Sequence, residues 1–327
     1  MPVKKTVQGC ACFRIVPFRN PAQSKAGRAP LIDKLEFLLA LAREKHFGRA
    51  AEACGVTQPT LSAGVKQIED GFGVLLVNRG SRFQGFTPEG ERVLDWARRI
   101  VGDARAMREE VHALKHGLSG RLRIAAIPTT LAMVERLTTP YRARHPNVQF
   151  TIYSRNSLEI LDLLENLEID AGITYVENEP LGRVSTVPLY RERYRLLTSA
   201  EAPLGNRDSV TWAEVSQVPL CLLTPDMQNR RIIDRLLKTA GNEARPTLES
   251  DSMILLYSHV RTGRWASVMP AKIADALGFT ESIRAIPITD PDAVQTIGLV
   301  VPSREPMTPI TAALVAEARR VAVSLDD

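Results

Sequence analysis

"HFGRAAEACGVTQPTLSAGVKQIE", residues His46 to Glu69, decides how the rest of the chain is read. Two short helical patterns flank Gly55, which allows a bend at positive φ that other residues resist. The first, about Gly48 to Cys54, buries Ala50 and Ala51, small enough for another helix to cross closely. Thr57 then stands where an N-cap belongs, and Pro59 falls in the first turn, where its missing N–H costs nothing. Beyond it Leu61, Val65 and Ile68 recur at i, i+4 and i+7 and point inward. The opposite stripe, Pro59, Ser62, Ala63 and Lys66, is small, polar or basic. A helix face kept low and smooth, with a few donors, suits insertion into a DNA major groove.

The flanks extend this reading. Upstream, Leu31, Leu35, Leu38, Leu39 and Ala42 form one apolar helical face. Downstream, "LLVNRGSRFQGFTPEG" (Leu75 to Gly90) predicts strand, tight turn and strand, a wing carrying Arg79 and Arg82 toward phosphates or the minor groove. Three helices and a wing make a winged helix-turn-helix, predicted over residues 31–88. The plainer reading, a three-helix packing unit with a hairpin, is left open by spacing alone.

The run "FLLALAREKHFGRAAEACGVTQPTLSAGVKQIEDGFGVLLVNRG", closed by "FTPEG", resembles the N-terminal module of LysR-type transcriptional regulators. The Ala-Ala pair, Gln-Pro-x-Leu-Ser, the Ile-Glu pair and Thr-Pro-Glu-Gly fall in that family's order, and the resemblance continues from about Leu31 to the C-terminus. It implies that Gln58, Pro59, Thr60, Ser62 and Lys66 face DNA, with Arg79 and Arg82 on the wing. One departure stands out. Where the family often carries a basic residue just after the serine, this chain has Ala63 and then Gly64, and a helix-interior glycine costs about 1 kcal/mol relative to alanine. Residues 31–90 hold seven basic and seven acidic residues, so DNA affinity must come from a local face and from avidity between copies.

Avidity needs a pairing element. From Pro88 to about His116, Val93, Ala97, Ile100, Ala104, Met107, Val111 and Leu114 alternate spacings of four and three. That is an a/d seam on a helix about 43 Å long, and it predicts self-pairing through residues 89–118. Paired winged helices reach half-sites about one DNA turn apart. His112 and His116 have the i, i+4 spacing of a metal pair but no evident third ligand, and read as solvated.

After "HGLSG" the pattern alternates strands and helices, which predicts parallel α/β sheets in two lobes. Lobe I is expected at about 119–192 and 292–327 and lobe II at about 193–291, with "YRERYRLLTS" and "AIPITD…TIGLVVPS" crossing between them. Ligands in such folds sit beyond the carboxyl ends of strands. There the chain places Thr129 and Thr130, Thr174, and Thr224 with Met227, a set suited to cradling a small anion, a carboxylate above all. The architecture is similar to the effector domain of the same regulators, itself similar to periplasmic solute-binding proteins. The resemblance implies that these threonines bind an inducer. "LLTPDMQNRRIID" and "SVMPAKIADALGF" are similar to members associated with formate dehydrogenase operons, which makes formate a candidate effector.

Composition narrows the class. The chain has 327 residues, 44% hydrophobic and 24% charged, ordinary for a globular protein of two domains. No apolar run approaches the roughly 20 residues that span a bilayer. Residues 1–30 carry +6 of a net +5, so the remainder is −1, and they read as a basic, disordered tail without a secretory signal. Cys10, Cys12, Cys54 and Cys221 form neither a disulfide framework nor a metal motif, in keeping with the cytoplasm. No cofactor is expected. The implied partners are double-stranded DNA, a small-molecule inducer, further copies of the chain as a homodimer or homotetramer, and RNA polymerase. A solute-binding protein would account for the lobes but not the winged helix. An enzyme would need a motif that the five scattered histidines do not supply.

Overall fold

A computed structural model of the chain describes residues 30–78, 80, 83–177, 179–277 and 282–325. The basic tail, apart from Pro30, lies outside the described residues, as do Arg79 and Arg82. Two compact units emerge, divided between Arg108 and Glu109.

The first unit is helical. α1 (Leu31–Glu44) buries Leu35, Leu38 and Leu39 as its pattern predicts, while Leu31 at the open end is exposed and Ala42 half-buried. α2 (Phe47–Ala53) is capped by His46, whose Nδ1 accepts from the backbone N–H groups of Gly48 and Arg49 at 3.1 and 3.3 Å. Gly55, at φ 65°, makes the turn. α3 (Gln58–Phe72) starts from Thr57, whose hydroxyl accepts from Thr60 N–H at 3.4 Å. Instead of two strands, the described part of the wing holds a single antiparallel bridge, Val77 to Phe86. Side chains hold the segment: Asn78 Nδ2 donates to Phe86 O at 3.1 Å and the Thr87 hydroxyl to Leu75 O at 2.7 Å. α4 (Pro88–His116) follows and runs across the unit boundary.

The second unit begins with β1 (Gly120–Ala126) and a 3-10 turn over Pro128–Met133. α5 (Val134–Arg144) follows the turn directly. Next come β2 (Val148–Ser154), α6 (Ser157–Glu165), β3 (Ala171–Tyr175) and β4 (Val184–Glu192). Asn156 and Glu159 form the capping box of α6. The chain then continues through β5 (Tyr194–Ser199), β6 (Val210–Thr211), α7 (Trp212–Val215), β7 (Cys221–Leu223), α8 (Gln228–Thr239) and β8 (Leu248–Ser250). α9 (Met253–Val260), β9 (Ser267–Pro270), α10 (Ala271–Leu277), β10 (Ile283–Thr289), β11 (Gln295–Pro302) and α11 (Pro309–Leu325) complete it.

One sheet has the order β2-β1-β3-β11-β4 and another β6-β10-β5-β9, with β7 and β8 as a parallel pair. A bridge from Leu220 to Ala266 ties that pair to the segment before β9. The chain passes between the sheets at Arg193 and again at residues 290–294. These passages make the sheets mixed rather than parallel. β11 runs antiparallel to β3 and β4, and β5 antiparallel to β10 and β9. A strand that arrives directly from the other lobe has no helical crossover to turn it parallel. β3, "AGITY", is buried throughout, as a central strand covered on both faces must be.

Candidate functional site

Two sites take shape, one in each unit. In the first, α3 has two unlike sides. Leu61, Val65 and Ile68 are buried at 0%, 3% and 3% exposure. Gln58, Pro59, Thr60, Ala63 and Lys66 are exposed and Ser62 is half-buried. All five described residues of the expected DNA-facing set therefore lie at the surface of one helix. Gly64 belongs to the inner side. A Cβ there would lie 2.6 Å from Cδ2 of Phe37 in α1, so the glycine pays its helical cost to let that ring close on the helix.

Sequence reasoning missed what holds the wing. Glu69, buried near the end of α3, accepts from Leu76 N–H at 2.9 Å and Val77 N–H at 3.3 Å through one carboxylate oxygen. This carboxylate fixes the start of the wing to the helix that precedes it. The Ile-Glu motif gave its position, but not that it turns inward; a lone acid beside an apolar stripe was the available signal.

The predicted seam of α4 divides. Ala97 and Ala104 are buried with Leu94 and Val101, whereas Ile100, Met107, Val111 and Leu114 stay exposed together with Trp96. The inner residues are used within the chain, so the outward apolar stripe is 96, 100, 107, 111 and 114. The His112 and His116 rings lie 4.7 Å apart, and no group of three metal-binding side chains occurs among the described residues.

In the second unit a cleft of about 690 Å³ lies where strand ends and helix starts of the two lobes meet. Pro128, Asn156, Thr224 and Met227 line it, with the carboxylates of Glu159, Asp226, Glu249 and Asp251 and the single guanidinium of Arg155. Of the expected ligand set, Thr224 and Met227 are therefore at the cleft. Thr129, Thr130 and Thr174 are buried to 1%, 0% and 0% exposure and are not part of its lining. Thr130 spends its hydroxyl on Ile127 O at 3.1 Å, a local turn bond, which is why a threonine at a strand end need not face a ligand.

The first turn of α8 joins the lobes. Asn229 Nδ2 donates to the Tyr175 hydroxyl at 2.9 Å, and Gln228 Nε2 to Glu177 O at 3.3 Å. Arg231 grips Glu179 with two parallel bonds of 2.8 and 2.9 Å and reaches Ser157 Oγ at 3.3 Å. From lobe I, Asn156 Nδ2 donates to Asp226 at 3.4 Å. None of these partners is near in sequence, so no local pattern announced them. Below the clasp, Tyr175 shares its surroundings with Tyr194 and Glu192. Burial pushes the Glu192 carboxyl up to about 7, against backbone N–H groups at the start of α10 that favour its charged form. Tyr190, Tyr194, Asp275 and Lys272 are the other titratable groups around it.

Cys54 and Cys221 are the cysteines among the described residues, and burial raises both thiols to about 11. Neither is a thiolate near neutral pH. No described helix is long and apolar enough to cross a membrane.

Comparison with known proteins agrees with both units. Residues 32–91 match the model of the bacterial regulatory helix-turn-helix protein, lysR family, and residues 115–323 match that of the LysR substrate binding domain. A solute-binding protein would lack the first match. The Escherichia coli K12 DNA-binding transcriptional dual regulator OxyR is 28% identical over 270 residues, 82% of this chain and 88% of that protein. The hydrogen peroxide-inducible genes activator of Haemophilus influenzae is 27% identical over 82% of this chain and 89% of its own length. Among solved structures, a full-length OxyR variant from Pseudomonas aeruginosa matches with a TM-score of 0.71 at 27% identity, covering 90% of this chain and 96% of that one. These relatives are transcriptional regulators, not enzymes. With a helix-turn-helix at one end and a two-lobed ligand-binding fold at the other, the chain belongs to the LysR family of DNA-binding transcriptional regulators.

Proposed function

We propose that the chain reads an inverted-repeat operator with the outer face of α3 and that a small molecule held between the lobes of its second unit switches that binding. Gln58, Pro59, Thr60, Ser62 and Lys66 are the proposed groove-facing residues, with Arg79 and Arg82 on the wing meeting phosphates. The single observation behind this is the asymmetry of α3. Its inner side is fully consumed by packing, and its outer side is left bare with one cation and several donors. A helix that served only its own module would have no reason to keep that side low.

Two copies pair through residues 89–116, supported by the exposed stripe Trp96, Ile100, Met107, Val111 and Leu114. Paired dimers make the homotetramer that carries four such heads in two pairs, acting in the cytoplasm and contacting RNA polymerase at the promoter. For the ligand to act it must prefer one arrangement of the lobes energetically. The sequence pointed to a carboxylate, with formate as a candidate. The Haemophilus influenzae relative is named for hydrogen peroxide rather than formate, and the lining of the cleft, with four carboxylates against one guanidinium, is a poor electrostatic match for an anion. Thiol oxidation has no support either, because both described cysteines are held protonated by burial.

The test is a titration of operator DNA at several salt concentrations. Lys66→Ala is expected to weaken operator binding and reduce the slope of log affinity against log salt by about 1, as for one lost cationic contact with the duplex. An unchanged slope and affinity would remove α3 from the interface.

A further inference from the structure

Resting on the reading of the interlobe cleft as the effector site, we propose that its ligand is a small cation, a molecule bearing a protonated amine or guanidine. The walls of the cleft provide the argument. The cleft, about 690 Å³, is of the size that holds a small molecule, and the charges on its lining act on whatever it holds. Those charges are not equal in availability. Glu249 is paired with Arg230 at 2.6 Å and contributes least. Glu159 is held by Asn156 N–H at 3.1 Å, a neutral donor that leaves its charge in place. Asp226 receives the amide of Asn156, also neutral, and the Thr224 hydroxyl beside it, with the Arg231 guanidinium nearby and already paired with Glu179, keeps its carboxyl below the usual range. It is therefore ionised across physiological pH. Asp251 is exposed on the same wall.

Against these stands Arg155, whose guanidinium donates to Ser154 O at 2.7 Å and lies over the Tyr153 ring at 5.6 Å. The other attraction for an anion would be the start of α8, where backbone N–H groups lack a side-chain cap. Asp226 stands one residue before that cap position and already brings a carboxylate to the positive end of the helix. An anionic effector would have to displace or approach it. Apart from Arg155, the charged partners a cation meets on the lining are carboxylates, and the Ser154 hydroxyl lies there for a polar group elsewhere on the molecule.

The experiment is calorimetric titration of the full chain with agmatine and 1,4-diaminobutane, and with succinate as a carboxylate of similar size, at low and high salt. Binding of at least one amine is expected, weaker at high salt and weakened about ten-fold by Asp226→Asn and by Asp251→Asn, each a change at an exposed position that keeps the side-chain shape. Binding of succinate instead, abolished by Thr224→Val, would overturn the cationic class while leaving the cleft as the effector site. Amine binding that neither aspartate variant alters would overturn the proposed location. Failure of every amine and carboxylate to bind would overturn the cleft reading together with the inference.

Discussion

α3 and α8 are both amphipathic helices, yet they use their polar residues in opposite ways. α3 leaves Gln58, Thr60 and Lys66 at the surface. α8 turns Gln228, Asn229 and Arg231 inward on Glu177, Tyr175 and Glu179, with Gln228 and Asn229 buried to 2% and 3% exposure. A helix whose polar groups stay at the surface can be satisfied by an outside polymer. A helix whose polar groups are satisfied internally holds two parts of its own chain, and whatever disturbs those bonds moves one part against the other. Recognition and coupling thus differ in where the hydrogen bonds go, not in how the helix is made.

The largest effect is expected beneath α8. Folded, Glu192 keeps its proton up to about pH 7; unfolded, it releases it near the ordinary value of 4.5. The native state therefore binds the extra proton within that window. The resulting stability is full below about pH 4.5 and is lost as pH rises through 7, by about 3 kcal/mol. Denaturant unfolding across this range should show the decline, and Glu192→Gln should flatten it. A parallel decline in the variant would mean that another group titrates.

α3 offers an inversion of sign. Gly64→Ala in an ordinary helix interior would stabilise by about 1 kcal/mol. Here the new methyl meets the Phe37 ring, and a loss of about 2 kcal/mol is expected instead. A stabilised variant in thermal unfolding would show that the ring moves freely and that the inner side of α3 is looser than its burial implies.

Arg231→Ala should cost least in stability, about 1 kcal/mol, because its pair with Glu179 is 30% and 23% exposed. Its consequence should appear in geometry. Small-angle scattering is expected to report a wider separation of the lobes, and equal profiles for variant and parent would make the pair incidental to closure.

The DNA-reading half was largely legible in sequence because its information is local. An N-cap threonine, a proline in the first turn and a period of three to four fix which side of α3 is buried, and Gly55 marks the turn before it. The wing was legible in place but not in form, since its anchor, Glu69, acts seven residues away through the backbone. The second unit gave up its strands and helices, including the capping box at Asn156. It withheld the direction of β5 and β11 and the ligand wall. Thr129, Thr130 and Thr174 sit at strand ends as expected, but burial takes them out of the cleft lining.

By itself the sequence determined most helices and strands, the buried side of α3 and the family, because periodicity, capping and turn chemistry are set by neighbours a few residues apart. Only the tertiary structure decided the charge of the cleft and the residues that clasp it. Glu159 and Asp226 lie on different lobes, as do Arg231 and Glu179, and a field or a bond between groups so distant along the chain exists only once folding has brought them together.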